Sequence, residues 1–158
     1  MPHISFTIKT VAFVTESGSA APARRPFLSA QFLGFGGQRL PFPAFLDTGS
    51  AFSVVPYRLA QQLPYVDLGE HLVLAGQLRP VEWNGIPCRM GEVEVELVDT
   101  NLFVRTRVLR VVAKIPRQAA APTLEQSVLL GMSFLTDNRA HQELHATSAG
   151  LSGHIWVP

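Results

Sequence analysis

Cysteine is almost missing from this 158-residue chain: Cys88 stands alone. No intrachain disulfide can form, and no cysteine-based zinc site can be assembled. Charge is scarce too, at 16% of residues against 47% hydrophobic, which fits an oligomer whose partner covers apolar surface. The 13 basic and 12 acidic residues nearly cancel to a net charge of +1, with no long basic run. That leaves no electrostatic footprint for nucleic acid. No stretch reaches the roughly 20 apolar residues of a membrane-spanning helix. Residues 1–9 alternate polar with apolar and have no basic head followed by an apolar run, as a secretory signal would. The expectation is one soluble, cytoplasmic domain over residues 1–158, without a membrane span and held together by burial.

What is there is alternation. Ile4, Phe6 and Ile8; Leu28, Ala30 and Phe32; Val93, Val95 and Leu97; and Phe103 to Val112, with arginines at 105, 107 and 110, all follow a period of two. Such a period turns one face of a strand inward and the other to water, so the fold reads as all-β. Gly36-Gly37 reads as a hairpin turn between strands 27–35 and 40–45. Helices are expected only over Pro56–Leu63 and from Met132 to about Asn138. Residues 17–23 and 117–122, small, polar or proline-bearing, read as exposed loops.

The chemistry concentrates in Phe42-Pro43-Ala44-Phe45-Leu46-Asp47-Thr48-Gly49-Ser50-Ala51-Phe52-Ser53-Val54-Val55-Pro56, a carboxylate set between apolar runs. An acid near a core stays ionised only if its charge is hydrogen-bonded or shared. Thr48 and Ser50 bring hydroxyls, and Gly49 permits a tight turn whose N–H groups can face the carboxylate. On these residues alone Asp47 is either an acid held for chemistry or the first residue of an Asx turn.

Leu46-Asp47-Thr48-Gly49-Ser50 followed by Val54-Val55-Pro56 resembles the active-site loop of the retropepsin-like aspartic peptidases. Val128-Leu129-Leu130-Gly131-Met132-Ser133-Phe134-Leu135 is similar to the hydrophobic-hydrophobic-glycine motif that packs beneath that loop in the family. The likeness spans about Phe27 to Pro158, leaving 1–26 as an extra strand and loop. It implies a bacterial-like, single-domain member: an acid-protease barrel with two short helices, assembling as a two-fold dimer and acting as an aspartic endopeptidase. Asp47 is then the catalytic residue, Thr48, Gly49 and Ser50 complete its loop, and Leu130 and Gly131 support it. No cofactor or metal is required.

The family's chemistry needs two carboxylates sharing one proton. This chain has no second Asp-Thr-Gly, since Asp99-Thr100 precedes Asn101, and no internal repeat. The second aspartate is therefore expected from Asp47 of another copy. Thr48 is expected to brace the two loops. Ser50 is expected to donate to the outer oxygen of Asp47, favouring an acidic working range. Retroviral members usually carry an aspartate and an arginine where Ala51 and Met132 stand here. Their joint absence leaves no orphan charge, and His154-Ile155-Trp156-Val157 becomes the candidate interface strand. A flap over the cleft is placed at Trp83, Asn84, Gly85 and Ile86, with Leu74-Ala75-Gly76-Gln77 as the rival tip.

The alternative function is a retropepsin-fold dimerisation or peptide-binding domain with little or no activity. A metal-dependent hydrolase would need His141, Glu143 and His145 as ligands, and surface histidines on a polar strand explain them better. Cys88 reads as a buried thiol, and Glu92, Glu94 and Glu96 as the solvated face of a strand.

Overall fold

The computed structural model describes residues 3–14, 20–99, 104–147 and 150–158. Strand makes up 55% of the molecule. The strands are β1 (His3–Val14), β2 (Ala20–Leu33), β3 (Arg39–Leu46), β4 (Ser53–Val54), β5 (Val66–Gly69), β6 (His71–Leu74) and β7 (Gln77–Pro80). They continue with β8 (Glu82–Trp83), β9 (Ile86–Asp99), β10 (Val104–Arg105), β11 (Leu109–Pro116), β12 (Val128–Leu130), β13 (His141–Thr147) and β14 (Gly150–Trp156). The helices are α1 (Tyr57–Ala60) and α2 (Met132–Asp137). α1 is shorter than the sequence reading, α2 agrees with it to within a residue, and all-β is the correct class.

Six strands close a barrel in the order β9-β11-β4-β12-β3-β2, shut by pairing of β2 with β9 from Ser29↔Val98 to Phe32↔Val95. The expected alternation fills it. Leu28, Ala30 and Phe32 of β2, Val93, Val95 and Leu97 of β9, Leu109, Val111 and Ala113 of β11, and Val128 and Leu130 of β12 are all buried in one cluster. Closure leaves these strands without free edges where they pair, which is how a small β protein avoids templating aggregation. The 3-10 turn Phe35–Gly37 joins β2 to β3, and Gly36 and Gly37 take φ of 69° and 75°, the left-handed region open to glycine.

Outside the barrel a second row of strands runs β2-β1-β14-β13. Ala20 to Ala23, read from sequence as loop, belong to β2 and pair with β1 from Val14↔Ala20 to Val11↔Ala23; residues 17–19 lie outside the described residues. Pro22 and Pro26 stand four apart, so their missing N–H groups face the same way. Among the described residues only β1 pairs with β2 from residue 20 to 26, and proline is tolerated where a strand has no second neighbour.

The strand expected from Phe103 to Val112 is broken. Phe103 lies outside the described residues, and 106–108 leave the ladder. Thr106 sits at the break: its N–H still donates to the Leu97 carbonyl at 2.9 Å, but its buried hydroxyl takes the Leu97 N–H at 3.1 Å in place of a backbone carbonyl and donates to the Arg107 carbonyl at 2.8 Å. The Glu92-Glu94-Glu96 face also needs correcting. Glu94 is exposed, but Glu96 is buried and receives a fork of two bonds from Arg39, at 3.0 and 3.3 Å. That bond, helped by Arg105, holds the Glu96 carboxyl below its ordinary range. No helix among the described residues is long and apolar enough to cross a membrane.

Candidate active site

β3 ends at Leu46, buried in the barrel, and delivers Asp47 to the rim. The turn that follows is closed by the Ser50 N–H donating to the Asp47 carbonyl at 3.1 Å. β12 lies between the two strands flanking this turn. It runs parallel to β3, with Leu130↔Leu46, and antiparallel to β4, with Leu129↔Val54. Leu129 and Leu130 are thus inserted beneath the loop, and Leu130 is fully buried.

The end of β12 latches the loop. The Asp47 N–H donates to the Leu130 carbonyl at 2.8 Å, the Met132 N–H to the Ser50 carbonyl at 2.8 Å, and the Ser133 N–H to the Ala51 carbonyl at 3.0 Å. Gly131 sits at the crossing, where a Cβ would lie 2.6 Å from the Phe52 oxygen and 2.7 Å from the Ser50 oxygen. Only glycine lets the two backbones approach this closely. The Gly131 N–H donates to the Ser53 hydroxyl at 3.0 Å, and Ser53 is fully buried. Ser53 is a supporting residue that sequence reasoning missed; a lone serine inside Phe52-Ser53-Val54-Val55 was its signal.

At the tip Thr48, Gly49 and Ala51 are exposed, and Asp47 and Ser50 are half-buried. Asp47 therefore lies nearer solvent than its apolar flanks suggested. Gly49 is not among the glycines with positive φ. A Cβ there would stand 3.5 Å from Asp47 Oδ1, an ordinary van der Waals contact, so neither space nor backbone conformation in this chain requires glycine at 49. Ser50 departs from expectation, because its hydroxyl donates to the Phe52 carbonyl at 2.8 Å. A hydroxyl has one hydrogen, so Ser50 braces the turn and does not donate to Asp47. The other aspartates serve elsewhere. Asp67 of β5 pairs with Arg89, Asp99 ends β9 and Asp137 ends α2.

Phe52 ties the loop to the hairpins beside it. It packs with Leu72, Trp83 and Val112 against Val81, Cys88 and Met90, and the Lys114 ammonium stands 5.9 Å from its ring. Two hairpins compete as a cover. Trp83-Asn84-Gly85-Ile86 is a tight turn with φ of 49° and 76° at Asn84 and Gly85, but β8 is paired to β9 and Trp83 is packed in this cluster. The rival, β6 and β7 with Ala75-Gly76 at the tip, is a separate two-stranded arm. Its Val73 and Leu78 are each 69% exposed, while Leu72 points back toward Phe52. At the arm's root Glu70 accepts from both Arg89 and Arg117, and those guanidinium groups hold its carboxyl below the usual range.

Glu125 is a second missed support. Its buried carboxylate accepts the Arg58 N–H of α1 at 3.3 Å and the Ala120 N–H at 2.8 Å, fixing the helix that follows the loop. Cys88 is buried, its thiol donates to the Ile86 carbonyl, and burial pushes its pKa up, so it offers no thiolate. Among the described residues no group of three or more His, Cys, Asp or Glu could hold a metal ion. Two depressions of about 490 and 350 Å³ flank Tyr65 and include no residue of the 47–50 loop. What the site defines by itself is a latched, solvent-facing aspartate loop on a closed β barrel. No protein-family model and no curated protein matches the chain.

Proposed function

We propose that this chain is a retropepsin-like aspartic endopeptidase that works as a homodimer, each copy contributing Asp47. The observation carrying this reading is the latch. The loop from Asp47 to Ala51 is suspended from the segment Leu130 to Ser133 by three backbone hydrogen bonds, so a surface carboxylate is held by buried structure rather than left on a free loop. Preorganisation of this kind is what positions a reacting group. Two loops facing each other across a two-fold axis bring two Asp47 carboxylates together, and like charges about 3 Å apart share one proton. The pair titrates as a unit. The ionised member takes a proton from a water that attacks the scissile carbonyl. The protonated member donates to the carbonyl oxygen, and a proton then passes to the leaving nitrogen.

In this reading the arm of β6 and β7 closes over the peptide, with Leu72 and Leu74 on the face turned toward Phe52. Its apolar exposure, and the lack of other sheet partners among the described residues, support that role over the packed turn at Trp83. The test is hydrolysis of a peptide library at acidic and neutral pH by the wild-type chain and Asp47→Asn. Cleavage that vanishes in Asp47→Asn is the expected result. Cleavage that survives ends the proposal, and a stable dimer that binds peptides without cutting them points to the binding-domain alternative.

A further inference from the structure

β14, read from sequence as the interface strand, is paired on both sides, to β1 from His3↔Trp156 and to β13 from His141↔Trp156. Its ladder groups are used within the chain. β13 is the last strand of the row, and among the described residues only β14 pairs with it. An open edge presents unpaired N–H and C=O groups, a template for another strand.

The side chains of that edge say which strand fits. His141, Glu143 and His145 are exposed on one face; the His141 ring stacks on Trp156 at 5.4 Å, and His145 Nε2 stands 3.7 Å from Glu143. His154 of β14 is paired with Glu143 in register, and its ring meets that of His145 edge-on at 5.9 Å. Suppose a second copy adds its own β13 antiparallel, extending the sheet about a two-fold axis perpendicular to it. Such an axis maps each face onto itself, and directly opposed residues share a face. A residue can then oppose only one of its own parity, so the axis must pass through a residue position. Centred on 143, Glu143 meets Glu143 of the other copy, a destabilising pair. Centred on 144, the midpoint of His141–Thr147, all residues of the strand are paired and Glu143 meets His145 of the other copy twice.

We propose that the β13 edge docks a second copy of this chain, antiparallel and centred on residue 144. The proposal rests on the reading of Asp47 as half a site, which needs a partner. The geometry suits it: Ile155 and Val157, on the face of this row opposite His141 and His145, belong to the same buried cluster as Leu130 and Phe134 beneath the loop. A depression of about 380 Å³ lined by Met132, Leu135, Ala140 and His141 joins the start of β13 to α2, whose first residue latches the loop.

Crosslinking of the full-length chain tests the register. A chain carrying Glu143→Cys mixed with one carrying His145→Cys should give a covalent heterodimer on mild oxidation, because opposed positions lie within disulfide range. Each alone should crosslink far less, whereas Leu144→Cys should crosslink to its own copy. Cys88 stays in place because it is buried. Sedimentation of uncrosslinked protein gives a second measure: E143K should raise the dimer dissociation constant several-fold, and adding H145E should restore it. A wild-type dimer in which none of these pairs crosslinks overturns the proposal, as does a wild-type monomer. A crosslinked dimer that cleaves no peptide supports the interface while sinking the catalytic reading, so the two fail separately.

Discussion

Gly131→Ala isolates the latch. The glycine's backbone, at φ −86° and ψ −175°, is extended and open to alanine, so nothing is lost in backbone conformation. The cost is contact: the new Cβ would meet the Phe52 oxygen at 2.6 Å and the Phe52 carbon and Ser50 oxygen at 2.7 Å. These are main-chain atoms that cannot rotate away, so β12 and the loop must part by roughly half an ångström or more. Overpacking of this kind costs about 1–3 kcal/mol. At about 2–4 °C per kcal/mol for a domain of this size, the melting temperature should fall by about 2–12 °C. A misplacement of about 1 Å can cost about 10²-fold in rate, so half of that should cost about tenfold in kcat. The control is Gly91→Ala, whose Cβ would overlap the ends of the Ile115 and Tyr65 side chains. Those are side-chain rather than main-chain atoms, and neither residue belongs to the 47–52 loop. Thermal melts and peptide hydrolysis on both variants read stability and catalysis apart. If Gly131→Ala melts and turns over like wild type, the close approach is not what holds the loop. If it loses stability but keeps kcat as Gly91→Ala does, the latch does not position Asp47.

Three further outcomes follow from the same geometry. Ser50→Ala removes a bond to the Phe52 carbonyl; it should cost about 0.5–1.5 kcal/mol in urea denaturation and leave the pH optimum of cleavage where it was. A displaced optimum would put the Ser50 hydroxyl on Asp47 after all. Glu96→Gln tests acid stability. The Glu96 carboxyl is lowered chiefly by its bond from Arg39, so its contribution is fully present above the unfolded carboxyl pKa of about 4.3 and is lost as pH falls through the lower folded value. With the Arg39 side chain 48% exposed, the variant should be less stable by about 1–2 kcal/mol at pH 7. The gap should close in melts below about pH 4; a constant gap refutes the ion pair's role. Trp83→Ala should lower the melting temperature by emptying the Val81, Cys88 and Met90 cluster, whereas Leu74→Ser on the exposed arm should raise KM with little change in stability. The reverse pattern would return the cover to the Trp83 turn.

Much of this molecule was legible because its physics is local. Period-two burial at Leu28, Ala30 and Phe32, or at Val93, Val95 and Leu97, needs only neighbours in sequence, and those positions are the barrel core. Gly36-Gly37 announced its turn through the conformations glycine alone takes easily. Failures came where a distant partner decided the outcome. Ala20 to Ala23 have poor strand propensity and joined β2 because β1 pairs with them. Thr106 sits where its strand breaks and bonds Leu97 across the sheet. Glu96 looked like its solvated neighbours until Arg39, 57 residues away, covered it. The candidate site divides in the same manner. Asp47, Gly131 and the motifs around them are visible as strings, and the lone Ser53 in its apolar run marked a role without naming its partner, but the destination of the Ser50 hydroxyl and the service of Glu125 depend on backbone groups that no pattern of residue types marks.

The latch also explains why the loop points outward at all. The Leu130 carbonyl and the Met132 and Ser133 N–H groups hold it from one side, that of β12, and the Ser53 hydroxyl holds Gly131 in turn. Thr48, Gly49, Ala51 and the 41% exposed Met132 are left to solvent. The chain carries a single Asp-Thr-Gly, so in the proposed reading the second carboxylate comes from another copy. Where retroviral members use an aspartate and an arginine beside this loop, Ala51 and Met132 leave a small, uncharged surface. A second copy can approach such a surface without desolvating an ion pair, a cost that often exceeds the attraction recovered. Specificity for that copy must then come from farther out, which is where the open β13 edge and its Glu143 and His145 stand.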